Sequence, residues 1–320
     1  NMPLAMFPEA RHFDKKHLRV LKKGIFRIAF MMEEKYDYKA DVQVIPTGVY
    51  YSNYWNFRSE LIVKYGDPFS LEEFFEDYKE DPQKTITNFS DILHHKIKEQ
   101  IIHISDLEYH DEYDLMRTIS YKGVLSDLGL RASQVSKLTA DKETVKRLDN
   151  LKDNDPDKFV KLIEKIKEYG QKIKKLSIKD WVAEKNAKSS RLLLKSLLLL
   201  VGFPLFVYGL INNFIVYSLP GLVTKKFKDR QFESSVAYVF VIFVFPFIYL
   251  IQYAVVWIIL KNWYIAIIYL LTVPWFGIIA FHYHRFFVKL SAQFRFKMKK
   301  NKAESASILE LRKEILNLFK

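Results

Sequence analysis

No cysteine occurs among the 320 residues, which excludes a disulfide framework and a thiolate nucleophile. Glycine is scarce, with 10 residues, and none of them builds a glycine-rich phosphate loop. No internal repeat is visible. The long apolar segments carry almost no ionisable side chains, which argues against a small transporter with a charged substrate path. The histidines and carboxylates between His94 and Asp114 match no metal-ligand spacing, and neither metal nor cofactor is expected. What is abundant is apolar surface and positive charge. The chain is 49% hydrophobic and 16% aromatic with a net charge of +13, enough for a core and more than one domain, and consistent with a membrane enzyme.

The first seventy residues read as α/β. Met2 to Phe7 is a short apolar run closed by Pro8, a pattern that predicts a buried strand. Glu9, Arg11, His12, Asp14, Lys15, Lys16 and His17 then crowd a turn with charge. Leu18 to Met32 follows as an amphipathic helix, with Leu21, Ile25, Ile28, Ala29 and Met32 expected on its apolar face. Val42 to Tyr51 and Glu60 to Tyr65 read as two further strands. Strands alternating with a helix point to α/β organisation.

Three ordered patterns lie within this region. They are Phe7-Pro8-Glu9-Ala10-Arg11-His12-Phe13, then Lys22-Lys23-Gly24-Ile25-Phe26-Arg27-Ile28-Ala29, then Val44-Ile45-Pro46-Thr47-Gly48-Val49, with Tyr65-Gly66-Asp67-Pro68-Phe69 closing the stretch. Together they resemble the glycerolipid acyltransferases, enzymes that acylate glycerol 3-phosphate or lysophosphatidic acid. The first matches the family's Phe-Pro-Glu-Gly-Thr-Arg-Ser block, the second its Lys-x-Gly-x-x-x-x-Ala pattern, and the third its apolar strand with one proline. Two departures stand out. Ala10 replaces the usual glycine, which would strain a backbone needing positive φ, and Arg11 and His12 stand where threonine and arginine are usual.

The resemblance implies the C-terminal part of a small α/β acyltransferase-type domain in which a glycerol hydroxyl attacks an acyl thioester. It also implies a histidine base oriented by an aspartate five positions later. That pair is absent, because none of His12, His17, His94, His95, His103, His110, His282 and His284 is followed five positions on by aspartate. His94 with Glu99 and His103 with Glu108 are near misses in the wrong order for the family. With Asn1 as its first residue, the chain is expected to be an internal fragment, inactive by itself, with no catalytic residue assigned. The resemblance gives substrate binding to Glu9, Arg11, His12, Lys22 and Lys23, with the cations as charge-assisted donors to phosphate and glycerol. Phe7, Pro8, Ala10, Gly24 and Pro46 would shape the backbone.

Residues 71–185 are charged and helical. Ser70-Leu71-Glu72-Glu73 is a capping-box pattern, and Pro82 suits a first helical turn followed by Ile86, Phe89, Leu93, Ile97 and Ile101 at helical spacing. Helices are also expected over Asp141 to Lys152 and Pro156 to Leu176, the second with a stripe of Phe159, Ile163, Ile166, Tyr169 and Ile173.

From Lys172 to Lys195 cations outnumber acids just before an apolar segment, so anionic membrane lipid, and not nucleic acid, is the expected partner. A membrane region over 186–290 follows. Leu192 to Tyr217 is split by Gly202-Phe203-Pro204 and contains Asn212-Asn213, which predicts a re-entrant hairpin over 192–217. Segments 235–260 and 263–283 are each long enough to span a hydrocarbon core of about 30 Å. Cations on both outer flanks place the ends of that pair in the cytoplasm. The remaining basic stretch, 291–320, is expected to be a cytoplasmic tail with a surface helix over Ala303 to Lys320. The expected activity is transfer of an acyl group from acyl-coenzyme A or acyl-carrier protein to lysophosphatidic acid, at the cytoplasmic face of the inner (plasma) membrane in phospholipid biosynthesis. Glycerol 3-phosphate is an alternative acceptor, and a non-catalytic membrane-anchored lipid-binding protein is an alternative class.

Overall fold

The computed structural model describes residues 3–10, 13, 15–52, 59–225, 232–298 and 301–320. The chain is mostly helical and divides into two compact units. One comprises Asn1–Ser52, Leu61–Gly170 and Leu311–Lys320; the other comprises Asn53–Glu60 and Gln171–Glu310.

In the first unit, residues 3–7 form no strand, and Leu4 and Phe7 are 74% and 82% exposed. The expected buried strand over Met2 to Phe7 is therefore corrected. A strand needs a ladder partner, and the four described strands pair only among themselves. Helix α1 is Gly24–Lys35, and it buries Phe26, Phe30 and Glu33. Leu21, Ile25 and Ala29 pack on the core as expected, but Ile28 and Met32 are exposed, so the expected face is corrected at those two positions. The two phenylalanines offer more apolar surface than the aliphatic stripe, so they set the phase of the helix. Glu33 is buried because its carboxylate accepts the backbone N–H groups of Ala40 (3.1 Å) and Val42 (2.6 Å), tying down the turn after the helix.

Strands β1 (Gln43–Val44), β2 (Thr47–Tyr51), β3 (Leu61–Tyr65) and β4 (Phe69–Ser70) pair antiparallel, β1 with β4 and β2 with β3. The two ladders are separate, their registers offset by one residue, and Pro46, which has no N–H to donate, lies between β1 and β2. The Pro46 carbonyl instead accepts from Gly66 N–H at 2.8 Å. These short ladders are all the sheet among the described residues.

Helices α2 (Phe75–Glu80), α3 (Pro82–Lys98), α4 (His110–Asp127), α5 (Gln134–Asn154) and α6 (Pro156–Lys175) follow. Ser70 Oγ accepts Glu72 N–H, one position short of the capping-box bond to Glu73, and the turn that follows, Glu72–Phe74, is 3-10 with no side-chain cap. Helix α3 starts at Pro82 as expected, where Asp81 caps Gln83 and Lys84. Phe89 is the hub of the core, with ring centroids of Phe26, Phe30, Phe69 and Phe74 at 5.5, 5.7, 5.3 and 5.1 Å. Burying such a ring contributes about 1.5–3 kcal/mol. The stripe on α6 is buried from Phe159 to Tyr169.

The second unit contains α7 (Asp180–Lys185), α8 (Ser189–Thr224), α9 (Phe232–Val239), a π-helical turn (Phe240–Val244), α10 (Phe245–Leu260) and α11 (Trp263–Lys297). Helix α8 runs unbroken through Pro204 and Pro220, so the re-entrant hairpin expected over 192–217 is corrected. The polar groups that suggested a break are satisfied by neighbouring helices. Asn213 donates to Val273 O at 3.1 Å and accepts from Tyr249 Oη at 2.8 Å, while Asn212 Oδ1 accepts from Tyr269 Oη at 2.8 Å. Contacts of Lys195 with Gln293, Leu199 with Tyr283 and Asn213 with Val273 make α8 and α11 antiparallel. Between α10 and α11, Lys261 takes a left-handed conformation and Asn262 caps Tyr264 and Ile265.

Three helices of this unit, Ser189–Thr224, Ser235–Leu260 and Trp263–Lys297, are long and apolar enough to cross a membrane. Leu200, Val201 and Ile258 are each at least 70% exposed, an apolar surface that water would not sustain and lipid would. The chain closes with α12 (Lys302–Phe319). Ile308 and Ile315 are fully buried, so this helix is packed, and the expectation of a surface helix is corrected.

Candidate functional site

The predicted site lies in the first unit, where Phe7 to Ala10 form a turn. Ala10 N–H donates to Phe7 O at 3.2 Å, and Ala10 has φ of 57°, the positive value that its replacement of glycine made unfavourable. Lys22 N–H donates to Pro8 O at 2.7 Å, so the turn sits against the start of α1. The structure thus brings the Phe-Pro-Glu and Lys-x-Gly blocks into contact through backbone. Glu9 is half-buried and Lys22 exposed. Lys23 Nζ donates to Thr87 Oγ1 on α3 at 2.7 Å, and Gly24 begins α1 with open space around it. Pro46 is buried between β1 and β2, its carbonyl 2.8 Å from Gly66 N. Arg11 and His12 lie outside the described residues.

The chain after this turn is stitched to a distant segment in a way that no sequence spacing announces. Leu18 N–H donates to His103 Nδ1 and Lys16 N–H to His110 Nε2, both at 2.9 Å, while Ile104 N–H donates to Lys16 O at 2.7 Å. His17 Nδ1 lies 2.9 Å from Ile104 O, and the His17 and His103 rings are 4.8 Å apart. Both acceptor histidines must be neutral to take an N–H. Burial, followed by repulsion from Lys98, His17 and His94, pulls the His103 imidazole down to about 4. Burial likewise lowers His110, against the pull of Asp111 and Asp114. His103 is therefore a structural acceptor, and its spacing to Glu108 carries no catalytic meaning. Glu99, the other near miss, has its carboxylate 3.8 Å from His95.

A depressed histidine stabilises the fold above its unfolded value and loses that contribution as pH falls toward the folded one. Thermal stability should accordingly drop between about pH 6.5 and about pH 4. His103→Gln, which keeps an acceptor but does not titrate, should flatten the drop in melts followed by circular dichroism. An equally steep drop would remove His103 as its source.

Beside this seam lies a buried charge network that sequence reasoning missed. Arg117, 4% exposed, pairs with Asp114 and, at 2.6 Å, with Asp141. Lys16 reaches Asp114 at 2.8 Å, and Lys137 reaches Asp141 and Tyr50 Oη at 3.4 Å each. Burial pushes the Asp114 carboxyl up, but Arg117 and Lys16 outweigh it and hold the group below the usual carboxylate range. Lys16 and Tyr50 flank the first and third sequence blocks, so the network fastens both to α4 and α5. Among the described residues, no group of histidine, aspartate and glutamate is arranged to hold a metal ion.

No family model, curated protein or solved structure matches this chain.

Proposed function

We propose that this chain is the membrane-anchored part of a glycerolipid O-acyltransferase that moves an acyl group from acyl-coenzyme A or acyl-carrier protein to lysophosphatidic acid. One observation carries the reading: the Pro8 carbonyl bonded to Lys22 N–H sets the Phe-Pro-Glu turn against the Lys-x-Gly helix start. In the family resembled, those two blocks serve one phosphate-bearing substrate. Glu9 would orient the turn and the acceptor, and Lys22 and Lys23 would offer cations to the phosphate. No residue of this chain is assigned as the general base; His103 is held as a backbone acceptor. Anionic lipid would gather at the shared end of α8 and α11, where Lys188, Arg191 and Lys195 meet Lys289, Arg295 and Lys297.

The test is acyl transfer measured in membranes. Glu9→Ala should lower turnover with lysophosphatidic acid roughly 100-fold, the scale of a misplaced reacting group. Unchanged turnover would remove the site assignment. Parallel assays with glycerol 3-phosphate separate the two candidate acceptors.

A further inference from the structure

The outer face of α1 is apolar, cationic and uncovered by the rest of the first unit. Ile28, Met31 and Met32 are 49%, 61% and 47% exposed. At 100° per residue, Arg27, Met31, Lys35, Ile28 and Met32 share an arc of about 140° on the helix. That arc holds two cations and no carboxylate; Glu34 lies at its edge and Glu33 points into the core. Lys22 and Lys23 precede the helix on the chain, and Val20, 85% exposed, extends the apolar surface. Arg27 and Met31 also border, with Tyr78, Asp81, Pro82, Gln83 and Ile86, a shallow open depression.

We propose that this face of α1 is a peripheral docking surface for an anionic bilayer, separate from the membrane-crossing helices. The composition is that of an interfacial helix: thioether and aliphatic side chains to enter the headgroup boundary, flanked by cations that meet lipid phosphates. Methionine is suited to such a surface because its flexible side chain adapts to a disordered partner. Helices able to cross a membrane lie in the same chain, so a lipid surface is presented to α1 at high effective concentration. A weak contact is then sufficient. The proposal does not depend on acyl transfer, since it rests on the exposed face alone.

The absence of cysteine permits single-site labelling of the full chain. An environment-sensitive fluorophore at Met31→Cys, and a control at Asp153→Cys, would be read in nanodiscs of phosphatidylcholine alone and of equal parts phosphatidylcholine and phosphatidylglycerol. Quenchers would be spin-labelled lipid and aqueous iodide. With phosphatidylglycerol present, lipid quenching at Met31 should exceed that at Asp153 about threefold, and Arg27→Gln with Lys35→Gln should remove most of the excess. Three results would overturn the proposal. The label could stay open to iodide in both lipids, it could be quenched equally in both, or it could be shielded from both quenchers because a protein segment covers the face.

Discussion

Arg117→Met is expected to destabilise the first unit by roughly 3–5 kcal/mol, the usual cost of removing one partner from a buried ion pair. Arg117 and Asp141 are 4% and 1% exposed, so their charges are held by each other and not by water. Without the guanidinium, Asp141 keeps only Lys137 at 3.4 Å, and its carboxylate is left largely uncompensated. Asp114 suffers less, because Lys16 stays at 2.8 Å and its side chain is 41% exposed. The double variant Arg117→Met, Asp141→Leu should recover most of the loss, because replacing both partners by apolar groups removes the desolvation penalty with the attraction. Denaturant unfolding of the full chain in detergent, followed by circular dichroism, measures both. A loss under about 1 kcal/mol for the single variant would mean the pair behaves as a surface bridge, contrary to its burial.

Gly209→Leu is expected to separate α8 from α11, while Gly221→Leu in the same helix should be nearly silent. A Cβ on Gly209 would run into the Phe276 carbonyl, a backbone group that cannot rotate away, and would also meet Ala280 Cβ at 3.0 Å. Gly221 has nothing within 4 Å. Moving the helices apart takes Asn213 from Val273 O and Tyr217 Oη from Gly277 O. Overpacking costs about 1–3 kcal/mol, and each lost interhelical hydrogen bond in a membrane averages about 0.6 kcal/mol. A total of that size should lower the melting temperature in detergent by roughly 5–10 °C. Equal melting temperatures for the two variants would deny the close approach.

Much of the helical organisation was legible because its signals are local. Pro82 at the head of α3 and the stripe from Phe159 to Ile173 each act within a few residues. The face of α1 was legible only in part. Leu21, Ile25 and Ala29 pack on the core, but Ile28 and Met32 match the same stripe and are exposed, and packing of Phe26 and Phe30 against Phe89 chooses between them. The break expected at Gly202-Phe203-Pro204 failed for a related reason, since Asn212 and Asn213 find partners on α10 and α11, far along the chain. At the candidate site the sequence supplied the Phe-Pro-Glu and Lys-x-Gly blocks, and their adjacency came only with the backbone bond from Lys22 to Pro8. The roles of His103 and His110 did not, because each accepts from a backbone group more than eighty residues away.

Composition and period by themselves determined that this chain carries long apolar helices, a basic surface and a charged helical region, because hydrophobicity and charge are properties of each residue wherever it lies. Tertiary structure alone decided that the opening apolar run is not a strand, that α8 is continuous, and that Arg117 sits among four charged neighbours. Those outcomes turn on whether a backbone or polar group finds a partner, and partners are supplied by folding, at separations that no local pattern encodes.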